Sequence, residues 1–210
     1  MHKSTLLSKK LNPTIRSLLS SVTLAVTFLA SGAVAAADWT LDSSSSAINF
    51  ISIKNANIAE NHQFKEISGK VAGSKSVFIN INLNSVDTAI EIRNQRMKEH
   101  LFETDHFPSA TISAELDPSL LTNLKAGSST ITSAPFKLTL HGQSQELTAP
   151  IKIIKTSDSE IHVTSMKPIF VQANDFNLIA GILKLQQLAK LQSIDAVVPV
   201  TFNLVFNQTS

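Results

Sequence analysis

The sequence predicts an all-β protein of antiparallel strands, folded as a sandwich or closed into a barrel. Three observations carry this. Seven or eight short segments alternate apolar and polar residues with a period of two. Turn formers separate them. Only one stretch, late in the chain, keeps helical spacing. Strict alternation puts one face of each strand inside and the other in water. Eight such strands make a barrel just wide enough for one small ligand.

The chain has 210 residues, and its first 37 read as a leader rather than as part of the fold. Lys3, Lys9, Lys10 and Arg16 are basic, and no acid precedes Asp38. Residues 18–30 are apolar apart from small hydroxyl residues, and Ser31-Gly32-Ala33-Val34-Ala35-Ala36-Ala37 follows. Basic, then apolar, then small is the layout of a cleavable secretory signal peptide. As a helix the apolar run reaches about 20 Å, short of the roughly 30 Å hydrocarbon core. Cleavage is expected after Ala35, Ala36 or Ala37, leaving one domain from residue 38 to 210 and no stable membrane span. The layout predicts export.

Of 18 Lys and Arg in the chain, four lie in the leader, so residues 38–210 carry 14 against 16 Asp and Glu, a net charge of −2. No basic patch remains for nucleic acid. The chain has no Cys, which excludes disulfides, thiolate metal sites and cysteine nucleophiles.

Trp39-Thr40-Leu41-Asp42 opens the domain, and residues 47–53 read as a strand. Within it Ile48 and Phe50 share one face while Ile51 and Ile53 share the other, a phase change that suggests a bulge or a strand covered on both sides. Residues 55–66 are polar and read as a loop. Ile67, Gly69 and Val71 alternate, as do Val77, Ile79, Ile81 and Leu83. Residues 89–102 contain good helix formers and predict one or two short helical turns, stopped by Phe107-Pro108. Ala110, Ile112 and Ala114 resume the alternation. Phe136, Leu138 and Leu140 run into Gly142, and Leu147, Ala149, Ile151 and Ile153 return, a hairpin by pattern. Leu178, Ile182, Leu185 and Ala189 follow helical spacing and predict a helix over 178–194. Val198, Val200, Phe202, Leu204 and Phe206 form a long closing strand.

Chemistry has little support. His100 and His106 stand near Glu99, Glu103 and Asp105, but a metal needs three or four converging groups, and Pro108 follows at once. No HExxH, GxSxG or glycine-rich phosphate loop occurs. His141 precedes the hairpin glycine and reads as a turn histidine with a local hydrogen bond. Neither catalytic residues, metal ligands nor a cofactor are expected. What stands out is apolar supply: residues 38–210 hold ten Phe, one Trp and no Tyr. That composition suits a hydrophobic core or an apolar tunnel.

The residues also resemble a known family. Trp39-Thr40-Leu41-Asp42 and Ser46-Ala47-Ile48-Asn49-Phe50 begin the match. Ser85-Val86-Asp87-Thr88, Arg93-Asn94, Leu101-Phe102 and Phe107-Pro108-Ser109-Ala110-Thr111-Ile112 sharpen it. Leu138-Thr139-Leu140-His141-Gly142 and Asp175-Phe176-Asn177 continue it. In order and spacing these are similar to the YceI-like family of lipid- and polyisoprenoid-binding proteins, over essentially all of residues 38–206. The resemblance implies an extended eight-stranded antiparallel β-barrel, lipocalin-like in shape, with an apolar pore that holds a long isoprenoid, isoprenoid-quinone or fatty-acyl chain. It also implies export to the periplasm, in agreement with the leader, and it brings no catalytic residues. The chain departs from the family pattern in the helix at 178–194, expected to cap the barrel, line the pore or act as a lid, and in the polar stretch 55–66.

On this reading the in-phase apolar residues Phe50, Val71, Ile79, Ile81, Phe136, Leu138, Leu140, Ile151, Ile182, Phe202 and Leu204 are the pore candidates. Arg93 is the candidate for a polar head group. The expected partner is an apolar lipid, carried, stored or sequestered; a homodimer is left open. The alternative reading is a stress-related interaction protein that partners a membrane redox protein and carries no lipid.

Overall fold

The computed structural model describes residues 38–209, so the expected leader and its cleavage site lie outside the described residues. Twelve strand segments form one antiparallel sheet: β1 (Asp38–Leu41), β2 (Ala47–Lys54), β3 (Ile58–Phe64), β4 (Ile67–Ala72), β5 (Ser76–Asn82), β6 (Val86–Asp87), β7 (Ser109–Glu115), β8 (Ser128–Leu140), β9 (Gln143–Ser157), β10 (Glu160–Ser165), β11 (Ile169–Gln172) and β12 (Val197–Thr209). Helices are few: α1 (Glu91–Arg96), a π-helix (Met97–Phe102), α2 (Ser119–Thr122) and α3 (Ile179–Ala189).

The sheet closes into the expected eight-stranded barrel because β12 pairs with β10 on one side and β1 on the other. The ring runs β1-β4-β5-β7-β8-β9-β10-β12. The remaining segments extend its staves. Along β12, Asn203 to Asn207 meet β10, while Val197 to Val200 meet β11. On the opposite edge, Phe206 to Thr209 meet β1, and Val200 to Asn203 meet β2. Thus β1 and β2 act as one interrupted stave. The break has a local cause: Asp42 caps a 3-10 turn at Ser43–Ser45, its carboxylate accepting from Ser44 N at 2.9 Å. The Ser46 hydroxyl then accepts from Val205 N at 2.9 Å, which bridges the gap in the ladder.

Three expectations change in detail. Residues 55–66 are mostly strand rather than loop: β3 pairs with β2 from Ile48↔Phe64 to Lys54↔Ile58. Its polarity arises because the inward residues are themselves polar, namely Glu60 and His62, ahead of Phe64. The same unbroken register shows that β2 has no bulge; its inner face continues from Ile48 and Phe50 through Ser52 and Lys54. Residues 128–140 form one continuous strand. The late helix ends at Ala189, because Lys190 takes a left-handed φ of 53°. Leu191 N bonds Gln186 O and Lys190 N bonds Gln187 O, a Schellman stop. The chain beyond folds back on β2, with Asp195 N on Ile53 O at 2.9 Å and Gln192 N on the Asn55 side chain at 2.8 Å.

The alternation of strand directions sorts the connections between two ends. One end carries the β2–β3 turn, the excursion 88–108, the His141-Gly142 turn and the segment 173–196 that contains α3. The other carries α2 and the turns at 73–75 and 158–159. The first end is closed by helices. There α3 crosses the π-helix at Gly181, where a Cβ would lie 2.5 Å from His100 O and 2.8 Å from Leu101 Cα. Only a residue without a side chain permits this approach.

Candidate ligand-binding cavity

Inward apolar residues of the staves do not meet at the axis. They line a cavity of about 530 Å³, inside the roughly 300–1,000 Å³ range of ligand sites. The wall takes Phe50 from β2, Val71 from β4, Ile79 and Ile81 from β5, Phe136, Leu138 and Leu140 from β8, and Ile151 from β9. Phe202 and Leu204 come from β12, and Ile182 from α3. All eleven apolar residues singled out in the sequence therefore face this one space, as does Arg93. Phe50, His62, Phe64 and Phe102 form a continuous aromatic wall, with ring centroids 5.1 Å (Phe50–His62), 5.2 Å (Phe50–Phe64) and 5.8 Å (Phe64–Phe102) apart. Leu116 and Leu121 line the end away from the π-helix and α3.

The position of the mouth follows from exposure. Of the lining residues only Ile90, Ile92, Ala189 and Asp195 are exposed to solvent. They sit at the start of α1, the end of α3 and the segment returning to β2. The cavity therefore opens between α1 and the C-terminal end of α3, and the π-helix and the rest of α3 roof the remainder. Arg96 Nη1 donates to Leu188 O at 3.4 Å across this opening, a cation on the last turn of α3 where its free carbonyls lie.

Just inside the mouth the wall turns polar. Glu60 Oε2 accepts from Arg93 Nη1 at 2.6 Å and pairs with Lys54 Nζ at 2.8 Å. Lys54 first, and then Arg93, hold the Glu60 carboxyl below the usual range despite partial burial. Arg93 Nη2 donates to Thr88 O. His62, 3% exposed, shares a hydrogen bond of 2.8 Å with the Ser52 hydroxyl through Nε2. Burial, helped by the charge of Arg93, pushes its pKa down to about 4, so the ring is neutral at physiological pH. Two buried atoms here have no hydrogen-bond partner: His62 Nδ1 and Arg93 Nε. Sequence reading found Arg93 and missed Ser52, Lys54, Glu60 and His62. The missed signal was the two-residue spacing of Glu60, His62 and Phe64, which is a strand period with a polar inner face.

The other residues quoted for the family resemblance hold the mouth in shape. Thr88 N and Thr88 Oγ1 both donate to Asn94 Oδ1, at 2.8 and 2.6 Å, which ties the start of the excursion to α1. Asp87 accepts from Ala89 N at 3.0 Å and pairs with Lys65 at 3.0 Å. His141 bonds Phe176 O through Nδ1 at 3.2 Å, lies 3.5 Å from Glu103 through Nε2, and packs its ring 4.5 Å from that of Phe107. One turn histidine thus joins three loops at the barrel end. No helix among the described residues is long and apolar enough to cross a membrane.

Comparison with known proteins agrees with this architecture. The family described as the YceI-like domain matches residues 39–206. A polyisoprenoid-binding domain from Saccharophagus degradans, implicated in plant cell wall breakdown, superposes with a TM-score of 0.80 at 33% identity, covering 81% of this chain and 98% of that one. BcnA of Burkholderia cenocepacia superposes with a TM-score of 0.60 at 17% identity, covering 79% and 98%, a likeness of fold. Among curated proteins none matches the sequence.

Proposed function

Because the chain belongs to the YceI-like domain family, we propose that it is an exported binding protein that holds one long apolar chain, of isoprenoid or fatty-acyl type, inside its barrel. The observation that carries this is the roughly 530 Å³ cavity with an almost wholly apolar wall and a single polar end. The solved relative from Saccharophagus degradans, named for polyisoprenoid binding, supports it at 33% identity. The physics is burial of methylene groups, each worth about 0.8 kcal/mol, so ten would contribute roughly 8 kcal/mol before ordering costs. The leader layout supports export to the periplasm. Transport, storage and sequestration all use this same grip, and no step of catalysis is assigned.

Native mass spectrometry of the protein purified from its own periplasm tests the proposal. The expected result is a lipid-sized adduct lost on denaturation. A clean apo mass, with delipidated protein failing to take up isoprenoid or acyl probes, would overturn it in favour of the docking-protein alternative. The native mass also reports whether the protein is a single chain or a homodimer.

A further inference from the structure

Two arginines of the excursion line the cavity, and they are in opposite states. Arg93 is fully committed: Nη1 donates to Glu60, Nη2 donates to Thr88 O, and Nε is buried. Arg96 makes one hydrogen bond, from Nη1 to Leu188 O at 3.4 Å, and joins no ion pair among the described residues. Its Nε and Nη2 have no partner there, and unlike Arg93 Nε neither is buried. That leaves one particular edge open. In a planar guanidinium, Nε–H and the neighbouring Nη2–H point the same way, at the spacing of the two oxygens of a carboxylate. The bond to Leu188 O uses the other nitrogen, so it holds the guanidinium at the opening without occupying this fork. Charge points the same way. Among the cavity-lining residues Lys54, Arg93 and Arg96 stand against Glu60 and Asp195, three against two, a residual charge of one positive. Lys54 and Arg93 share Glu60, so Arg96 is the cation left without a carboxylate.

We propose that Arg96 is the head-group residue of the cavity, its Nε–Nη2 edge taking the carboxylate of a ligand whose apolar chain fills the barrel. This rests on the binding function proposed above and adds the chemistry of the ligand's polar end: a long-chain acid rather than an ester or a hydrocarbon. The ligand lies chain inward, with its carboxylate between α1 and the C-terminal end of α3. At that half-open position the carboxylate is only partly desolvated, so the pairing is not offset by the full cost of burying an ion. One negative charge also matches the one positive charge left over around the opening.

The test uses three probes of equal chain length, palmitate, methyl palmitate and hexadecyl phosphate. Each displaces the neutral fluorophore N-phenyl-1-naphthylamine from the delipidated protein. Palmitate should bind the wild type about tenfold more tightly than methyl palmitate. Arg96→Gln removes the charge and the fork, and should bring the two affinities together. Arg96→Lys keeps the charge without the fork, and should keep only part of the preference. It also decides the matter if the glutamine variant does not fold. Lys184→Gln removes a cation of α3 that is exposed and does not line the cavity, and should leave the preference as in the wild type. Equal affinity for palmitate and methyl palmitate in the wild type overturns the proposal and leaves the binding function standing. So does a full preference in either Arg96 variant, or one lost equally in Lys184→Gln. Tighter binding of hexadecyl phosphate than of palmitate overturns the assignment to a carboxylate. Failure of all three probes overturns the binding function itself.

Discussion

Gly181 of α3 lies so close to Leu101 of the π-helix that a Cβ on the glycine would sit 2.8 Å from Leu101 Cα and 2.5 Å from His100 O. The neighbours are backbone atoms, which cannot rotate away. Gly181→Ala should therefore lift α3 from the barrel end. The expected cost is about 1–3 kcal/mol despite the better helix propensity of alanine. Thermal unfolding should show Tm lowered by several degrees, and hydrogen exchange should quicken in α3. An unchanged Tm would show that the helix roof is not held by this contact.

His62 makes stability depend on pH. Its pKa in the fold is about 4, against 6.5 for a free histidine. The unfolded chain thus binds more protons than the folded one between these values, and stability falls as pH drops through that window. The loss should approach about 3 kcal/mol near pH 4. Glu60, Lys54, Arg93 and Asp87 surround the ring. Of these, Glu60 and Asp87 have lowered pKa values, so their own loss of stability comes at more acidic pH. Denaturant unfolding at pH 7 and 4.5, run on the wild type and His62→Phe, isolates the histidine. The difference between the two should shrink on acidification, and a constant difference would argue against a buried neutral ring.

Ala149 is fully buried on β9, lines the cavity, and stands opposite Ala134 of β8, which lines it too. Ala149→Phe should place a ring in the open volume. Palmitate affinity is expected to fall about tenfold, corresponding to lost burial of about two methylenes. Tm should hold or rise, since an internal space is being filled. A fall in Tm with unchanged affinity would mean that this part of the cavity is not used by the ligand.

Asn94 is buried and takes two hydrogen bonds from Thr88 on one oxygen. Asn94→Ala leaves the buried Thr88 N–H unpaired, at a cost of about 1–3 kcal/mol. Chemical denaturation measures the loss. The excursion 88–108 carries Arg93, so ligand affinity should drop in parallel.

The barrel was legible because its strands alternate. Val77 to Leu83 and Val198 to Phe206 state their inner faces without help, and the phase of each placed the pore residues on the wall now observed. The polar end was not legible, for a physical reason. Glu60 and His62 face inward beside Phe64, so β3 has no apolar stripe and reads as loop. Only the pairing of Ser52 with Glu60 and Phe50 with His62 on adjacent strands shows that they share a face. The end of α3 was misplaced for a similar reason. Lys190 takes a conformation usual for glycine, while Leu191 and Ile194 continue an apolar pattern because they line the cavity from the returning chain. His141 was read as a turn histidine with a local hydrogen bond, but its Nδ1 instead reaches Phe176 O, 35 residues on, while its ring meets Glu103 and Phe107, partners that no local pattern announces.

The pairing of β12 with β1, β2, β10 and β11 has a consequence for the order of events during synthesis. Those four segments each need an edge that only β12 provides, and β12 follows all of them in the chain. Until it has been made, the sheet has two open edges and no enclosed interior, and the contacts that close it join residues more than a hundred positions apart, which are slow to form. The ring thus stays unclosed until β12 has been made. Closing the ring and enclosing the cavity are therefore one and the same step, and the cavity exists only once β12 has paired on both sides.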